Sequence, residues 1–189
     1  MGLTEWAYSL SESLLSEPLP RRWAHSLGVA KRARSLSPIL GGDADLLEAA
    51  AVLHDIGYSP AIATTGFHPL DGARFLRDQE KADERVVRLV AHHSCALLEA
   101  EERGLRDDLE SEFALERSEL VDALLYCDMT TTPDGAQTTS AERLDEIVQR
   151  YGPDTIVARF IQRAAPEIYA ASTRVEGRLA KADVDVQPR

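Results

Sequence analysis

The chain has 189 residues, with 32 acidic against 21 basic side chains and a formal net charge of −11. A chain of that length suits one domain and buries roughly 70% of its extended surface, so a hydrophobic core needs no disulfide staples. The negative field repels nucleic-acid backbone and anionic bilayers, so neither a nucleic-acid polymer nor a membrane is an expected partner. No apolar run approaches the roughly 18 residues of a membrane span. The N-terminal stretch MGLTEWAYSLSESLL has an early Glu5 and no basic region, so it does not read as a secretory signal. Two cysteines, Cys95 and Cys127, are too few for a disulfide framework, and a cytoplasmic location is the expectation.

Ala, Leu, Glu and Arg dominate and strand-like alternation is rare, so the chain reads as nearly all helix. The first helix is expected from Thr4, as N-cap, to about Glu17, ended by Pro18 and Pro20. A second runs from about Arg21 to before Pro38, with Trp23, Leu27 and Ala30 at helical spacing. Gly41, Gly42 and Asp43 give a turn and cap, and the third helix carries Leu46, Leu47, Ala50 and Leu53 before stopping at Gly57. An irregular stretch from Tyr58 to Phe67 leads into a short helix at Pro69 to Arg77. A longer helix is expected from Asp83 to Gly104, a charged ambiguous stretch over 105–117, and a helix over Ser118 to Asp128. A polar loop, Thr130 to Thr139, precedes a helix capped by Ser140 and ended by Gly152 and Pro153. The last helix runs from about Asp154 to Ala180, kinked or divided at Pro166, and the tail after Lys181 reads as frayed. The sum is an all-α bundle of about eight or nine helices, one domain over 1–189.

All five histidines, His25, His54, His68, His92 and His93, fall within 69 consecutive positions. A lone histidine on an apolar helix is ordinarily a hydrogen-bonded core residue, so the clustering is what points to ligation. AAVLHDIG puts His54 and Asp55 side by side at the end of an apolar helix, where burial is costly unless the pair is bonded or holds a metal. Side chains of adjacent helical residues diverge by about 100°, but a loosened last turn lets them converge. Neutral imidazole with carboxylate suits Fe, Mn, Co, Ni or Zn. YCDMTTTPDG supplies a later acid, Asp128, preferred over mid-helix Asp122 and over Asp134, which reads as a turn residue.

The ordered set His25, His54-Asp55 and Asp128 resembles the H…HD…D signature of the HD-domain metal-dependent phosphohydrolase superfamily. The resemblance covers roughly 20–135 and includes the flanks RRWAHSLGVAKRARSL, FHPLDGARFL, VVRLVAHHS and LLYCDMT. It implies an HD-domain helical bundle holding one or two divalent transition-metal ions. His25, His54, Asp55 and Asp128 would ligate the first. His68 and His92 fall where dinuclear members place second-metal ligands, with Asp55 bridging; His93 is either a further ligand or a phosphate-binding group. Many relatives have lysine where Tyr58 stands, so a charge for phosphate is missing there and a hydrogen-bonding ring replaces it. The GYP segment of the HD-GYP phosphodiesterases is absent, which argues against cyclic-dinucleotide hydrolysis.

The implied chemistry is hydrolysis of a phosphomonoester or phosphodiester of a small molecule, a nucleotide among the candidates, through a metal-activated water. His54 and Asp55 are the expected catalytic pair, Asp55 also taking a proton from the nucleophile. Arg22, three before His25, and Arg88, four before His92, share those histidines' faces and are candidate phosphate ligands with Tyr58. Asp71 either orients His68 or is a solvated acid; Thr130 to Thr132 either lines the site or only turns the chain. Glu99 to Glu102 reads as a solvated face, and both cysteines as packing residues. The C-terminal helix either pairs two subunits as a homodimer or covers the core. Two alternatives remain: a di-iron oxygenase on the same ligand set, and a non-catalytic nucleotide-sensing module.

Overall fold

The computed structural model describes residues 1–186. Eleven α-helices are present among them, nine with eight residues or more: α1 Leu3–Leu15, α2 Pro20–Ser35, α3 Ser37–Leu40, α4 Ala44–Leu53, α5 His68–Asp78, α6 Glu84–Ala91, α7 Ala96–Arg103, α8 Arg106–Glu112, α9 Ser118–Met129, α10 Ser140–Tyr151 and α11 Ile156–Val186. The only strand-like pairing among the described residues is one antiparallel bridge between Thr131 and Gln137, inside the loop after α9. No helix among them is long and apolar enough to cross a membrane.

The centre is α4. Its sequence ADLLEAAAVL is apolar on every side, and all of Leu46 to Leu53 is buried. Such a helix needs neighbours all round, and α1, α2, α6 and α9 pack against it. Each fully buried Leu or Val there contributes about 1.5–3 kcal/mol relative to exposure. The one acid in its middle, Glu48, is held by Arg34 and the Tyr8 hydroxyl. A second apolar cluster, with Leu125, Leu144, Ile147, Phe160 and Ile161, joins α10 and α11 to the outer side of α9.

Several expected boundaries move for physical reasons. Pro20 opens α2 rather than ending α1, because a residue at N1 needs no amide hydrogen. Gly2, not Thr4, precedes α1, and the Glu5 side chain accepts from its amide. Thr139, not Ser140, caps α10, with Glu142 reaching back to the Thr139 amide. Pro166 sits inside one continuous α11, which extends past Lys181 to Val186; the rest of the expected frayed tail lies outside the described residues. The ambiguous stretch contains α8, whose Glu112 is anchored by Arg74 and Arg77. The largest departure is at 92–95. The single helix expected from Asp83 to Gly104 is broken into α6 and α7 by a 3₁₀ turn in which Ser94 (φ +51°) and Cys95 (φ +60°) are left-handed.

Candidate metal centre

The end of α4 begins the site. His54 still has helical angles, but Asp55 (φ −99°, ψ +3°) leads into a 3₁₀ turn, Ile56–Tyr58. The loosened turn brings the neighbours together, with His54 Nε2 3.4 Å from Asp55 Oδ2. From α2, His25 Nε2 comes to 2.9 Å from Asp128 Oδ1 and 3.9 Å from Asp55 Oδ2. Asp128 arrives from α9, its Oδ1 4.0 Å from His54 Nε2. Ligand atoms of His25, His54 and Asp128 all lie within 4.8 Å of one another.

A second group lies against the first. Ligand atoms of Asp55, His68 and His93 meet the same limit. His68 Nε2 is 3.4 Å from Asp55 Oδ1 and 3.0 Å from His93 Nε2. Asp55 thus presents Oδ2 to one group and Oδ1 to the other. His68 is the first residue of α5, and its carbonyl approaches Gly57 so closely that a Cβ there would stand 2.0 Å away. Only glycine at 57 allows α5 to start beside Asp55. Gly28 and Gly135 do the same for α2: a Cβ on Gly28 would come within 2.5 Å of the Gly135 carbonyl. That contact seats the 130–139 loop on α2 and delivers the Thr132 carbonyl to His25.

Backbone carbonyls orient three of the rings. The Nδ1–H of His25 donates to Thr132 at 2.9 Å, that of His54 to Ala51 at 2.7 Å, and that of His93 to Val90 at 2.7 Å. In each neutral ring the Nε2 lone pair then faces the carboxylates, the arrangement in which a histidine ligates metal. His54 Nε2 is buried and has no hydrogen-bond partner. An orphaned buried nitrogen costs about 1–3 kcal/mol, and a cation among these imidazoles and carboxylates would satisfy it. The residues present therefore fit one or two divalent ions.

The electrostatics follow from burial and crowding. Burial favours neutral Asp55, but Arg22, His54 and His68 outweigh it and hold its carboxyl well below the usual range. Asp128 is likewise lowered against burial, by the His25 hydrogen bond and the charge of His54. Burial lowers His54, but Asp55 and Asp128 prevail and raise it to about 9. His93 is lowered to about 4 by burial and by His54, and His68 well below its usual value by burial and His93. Two carboxylates stay ionised in a buried centre, which suits a cation.

Above the second group lies a stack. The Arg22 guanidinium sits 3.8 Å from the Tyr58 ring centroid, and Tyr58 stacks on His68 at 3.9 Å. Arg22 Nη1 also donates to Asp55 Oδ2 at 2.8 Å. Burial pushes the Tyr58 hydroxyl far above its ordinary value, so it remains a donor. A cavity of about 70 Å³ opens beside the ligands; its walls include Arg22, Tyr58, Glu99, Arg143, Arg150 and Tyr151.

Six of the seven expected ligands thus converge, and His92 does not. His92 Nε2 donates to the Phe113 carbonyl at 2.7 Å, away from the centre, because the 92–95 break turns His93 inward in its place. Arg88 is a second correction: it does share the His92 face, but that face packs on the 112–116 segment, where Arg88 pairs with Glu84 and Glu116. It is not among the cavity residues, whereas Arg22 and Tyr58 are. Asp71 neither orients His68 nor is solvated; it is buried and accepts from Thr64, Thr65 and Gly66, bracing the loop before α5. The threonine run contributes the Thr132 carbonyl, while the Thr130 and Thr131 hydroxyls bond back to α9. Asp122 and Asp134 pair with Arg174 and Arg21 instead. Burial raises the thiols of Cys95, to about 12, and Cys127, as expected of packing residues.

The sequence reading missed Arg143, Arg150, Glu99 and Ser94. Arg143 and Arg150 are seven apart, two turns on one face of α10, a signal that was available. Glu99 is buried against Arg103 rather than solvated like Glu101. Ser94 Oγ donates to Asp128 Oδ2, a contact made only by the left-handed backbone.

A family model described as "HD domain" matches residues 22–164. Two curated relatives are both named ribonuclease Y. The one from Rubrobacter xylanophilus is 37% identical over 70 residues, which is 37% of this chain and 14% of that protein. The one from Rhodopirellula baltica is 38% identical over 69 residues, 36% of this chain and 13% of that protein. The chain therefore matches only about a seventh of the length of these relatives. No solved structure matches the chain.

Proposed function

The chain belongs to the HD-domain family, and we propose that it is a metal-dependent phosphohydrolase acting on a phosphoester of a small molecule, with nucleotides among the candidates. The observation that carries this reading is the pair of ligand groups joined through the two oxygens of Asp55. His25, His54, Asp55 and Asp128 would hold one divalent ion, and Asp55, His68 and His93 a second, drawn from Fe, Mn, Co, Ni or Zn. Such ions supply a water acidic enough to ionise near neutral pH and positive charge for phosphoryl oxygens.

The protein's own groups complete the chemistry. Asp55, kept ionised by Arg22, His54 and His68, would take the proton of the attacking water. Thr132, Ala51 and Val90 fix three imidazoles through their carbonyls and so pre-orient these ligands. Arg22 reaches the cavity beside Asp55 and offers its remaining guanidinium donors to a phosphoryl oxygen. Tyr58 stacks over His68 and keeps its proton for a hydrogen bond. Where a lysine would bring charge, this chain sets an arginine against the tyrosine ring.

The name of the two relatives specifies RNA, yet a net charge of −11 and a small cavity favour a small substrate over a polymer. Elemental analysis of purified protein, run beside a phosphoester and nucleotide screen, tests the reading. About two ions per chain with phosphate release supports it. An iron pair with substrate-dependent oxygen uptake replaces it by oxygenation, and tight nucleotide binding without product replaces it by sensing.

A further inference from the structure

The cavity at the ligands is too small for a whole substrate. Its volume of about 70 Å³ is well below the roughly 300–1,000 Å³ of ordinary ligand pockets. It takes a phosphoryl-sized group and little else. A second cavity of about 300 Å³ shares Arg22, His25, Arg143 and Arg150 with it. The rest of its wall is mainly Pro18, Leu19, Pro20 and Pro133, from the α1–α2 junction and the loop after α9.

The shared arginines bear on what crosses the junction. The Thr139–Glu142 capping box fixes the start of α10, and Arg143 and Arg150 then face the same way two turns apart. Both pair with one carboxylate, Glu146, and so are held together beside the cavity. Arg143 is only 5% exposed, and its Nε has no hydrogen-bond partner. A buried guanidinium with an unused donor marks a place prepared for an acceptor that the protein does not itself provide.

We propose that the second cavity is the subsite for the leaving group of the substrate, a compact phosphomonoester with an apolar or ring-shaped body, and that Arg143 and Arg150 clamp its phosphate at the junction. The body lies against Leu19 and the three prolines; the phosphoryl group reaches through to the His/Asp centre. A space of about 300 Å³ admits one ring system. The proposal rests on the phosphohydrolase reading, because the clamp presumes a phosphoryl group.

Two non-hydrolysable probes separate the claims: phenylphosphonate and methylphosphonate, each titrated by calorimetry into metal-loaded protein. Phenylphosphonate is expected to bind about tenfold or more tightly than methylphosphonate, from burial of the ring. Leu19→Ser, or the milder exposed Pro18→Ser should Leu19→Ser fold poorly, adds no charge beside the arginines and lowers the ratio of phenylphosphonate to methylphosphonate affinity several-fold. Arg143→Met weakens both probes about tenfold, and Arg150→Met, at a less buried position, does the same if Arg143→Met does not fold. Equal binding of the two probes, or a ring preference untouched by both Leu19→Ser and Pro18→Ser, overturns the subsite. Full affinity in folded Arg143→Met and Arg150→Met overturns the clamp. Binding of neither probe to protein carrying its metal overturns the phosphohydrolase reading, and the subsite with it.

Discussion

The two ligand groups sit side by side but are built in different ways. The first draws on regular helices: His25 from within α2, Asp128 from within α9, His54 from the C-cap of α4. The second draws on places where helices fail. Asp55 follows α4, His68 begins α5, and His93 lies in the turn that separates α6 from α7. Helical packing carries the first group, with the Thr132 carbonyl and Ser94 hydroxyl orienting His25 and Asp128, so its geometry largely shares the stability of the core. The second depends on a missing Cβ at Gly57 and on left-handed Ser94 and Cys95, each of which costs about 1–3 kcal/mol of backbone strain. Strain of that kind persists only where the surrounding contacts over-determine it.

Asp55 is the joint between the groups, so its loss has the largest expected effect. Asp55→Ala should remove bound metal from both groups and lower phosphoester hydrolysis by at least about 10³-fold. Circular dichroism should still show a helical protein, because replacing Asp55 also removes a buried charge. Retention of two ions per chain by the folded variant would show that the groups are not joined through this carboxylate.

The adjacent histidines divide the comparison most sharply. His93→Ala should cost about one ion per chain and roughly 10²-fold in activity, with the first group intact. His92→Ala should keep both ions, and its effect should be on stability: the buried hydrogen bond to Phe113 is worth about 1–3 kcal/mol, read as a lower melting temperature. The opposite pattern would mean that the 92–95 turn takes another form in solution.

These residues also show what sequence reasoning reaches. The all-helical fold and the first group were legible because an apolar α4 ending in His-Asp, and acids or histidines on regular helices, leave a periodic trace. The resemblance favours His92 over His93 as a ligand, and a helix expected to continue across 83–104 gives no sign of the turn that exchanges them. Ser94 and Cys95 carry no glycine or proline to announce a break, and tertiary contacts, including Ser94 with Asp128, impose it. Arg88 was placed correctly relative to its histidine and wrongly relative to the site, for the same reason. Arg143 and Arg150 lie beyond the stretch that carried the resemblance, and only the fold of α10 against α9 and α11 brings them to the cavity.

Gly57 offers a way to weaken the second group without touching a ligand. Gly57→Ala puts a methyl against the His68 carbonyl, and α5 must shift. Overpacking of this kind costs about 1–3 kcal/mol. The second ion should bind about 10–100-fold more weakly, while the first stays close to its wild-type affinity. Equal weakening at both would show that the groups respond as one unit.

The smallest expected effect concerns the brace on the approach to His68. Asp71 accepts from five donors on Thr64, Thr65 and Gly66 and so holds the loop leading into α5. Burial favours its neutral form, but the Thr64 and Thr65 donors outweigh that and lower its pKa below 3.8. A carboxyl with a folded pKa below its unfolded value contributes fully above about pH 4 and loses the contribution as pH falls through the folded value. Asp71→Asn should therefore destabilise the protein by about 1–3 kcal/mol at neutral pH and weaken the second group only a few-fold. The stability gap between wild type and variant should narrow as urea denaturation is repeated below pH 4. A gap that stays constant down to pH 2 would mean that the brace works through shape rather than charge, and the loop would then owe its order to packing around Phe67, which is fully buried beside His68.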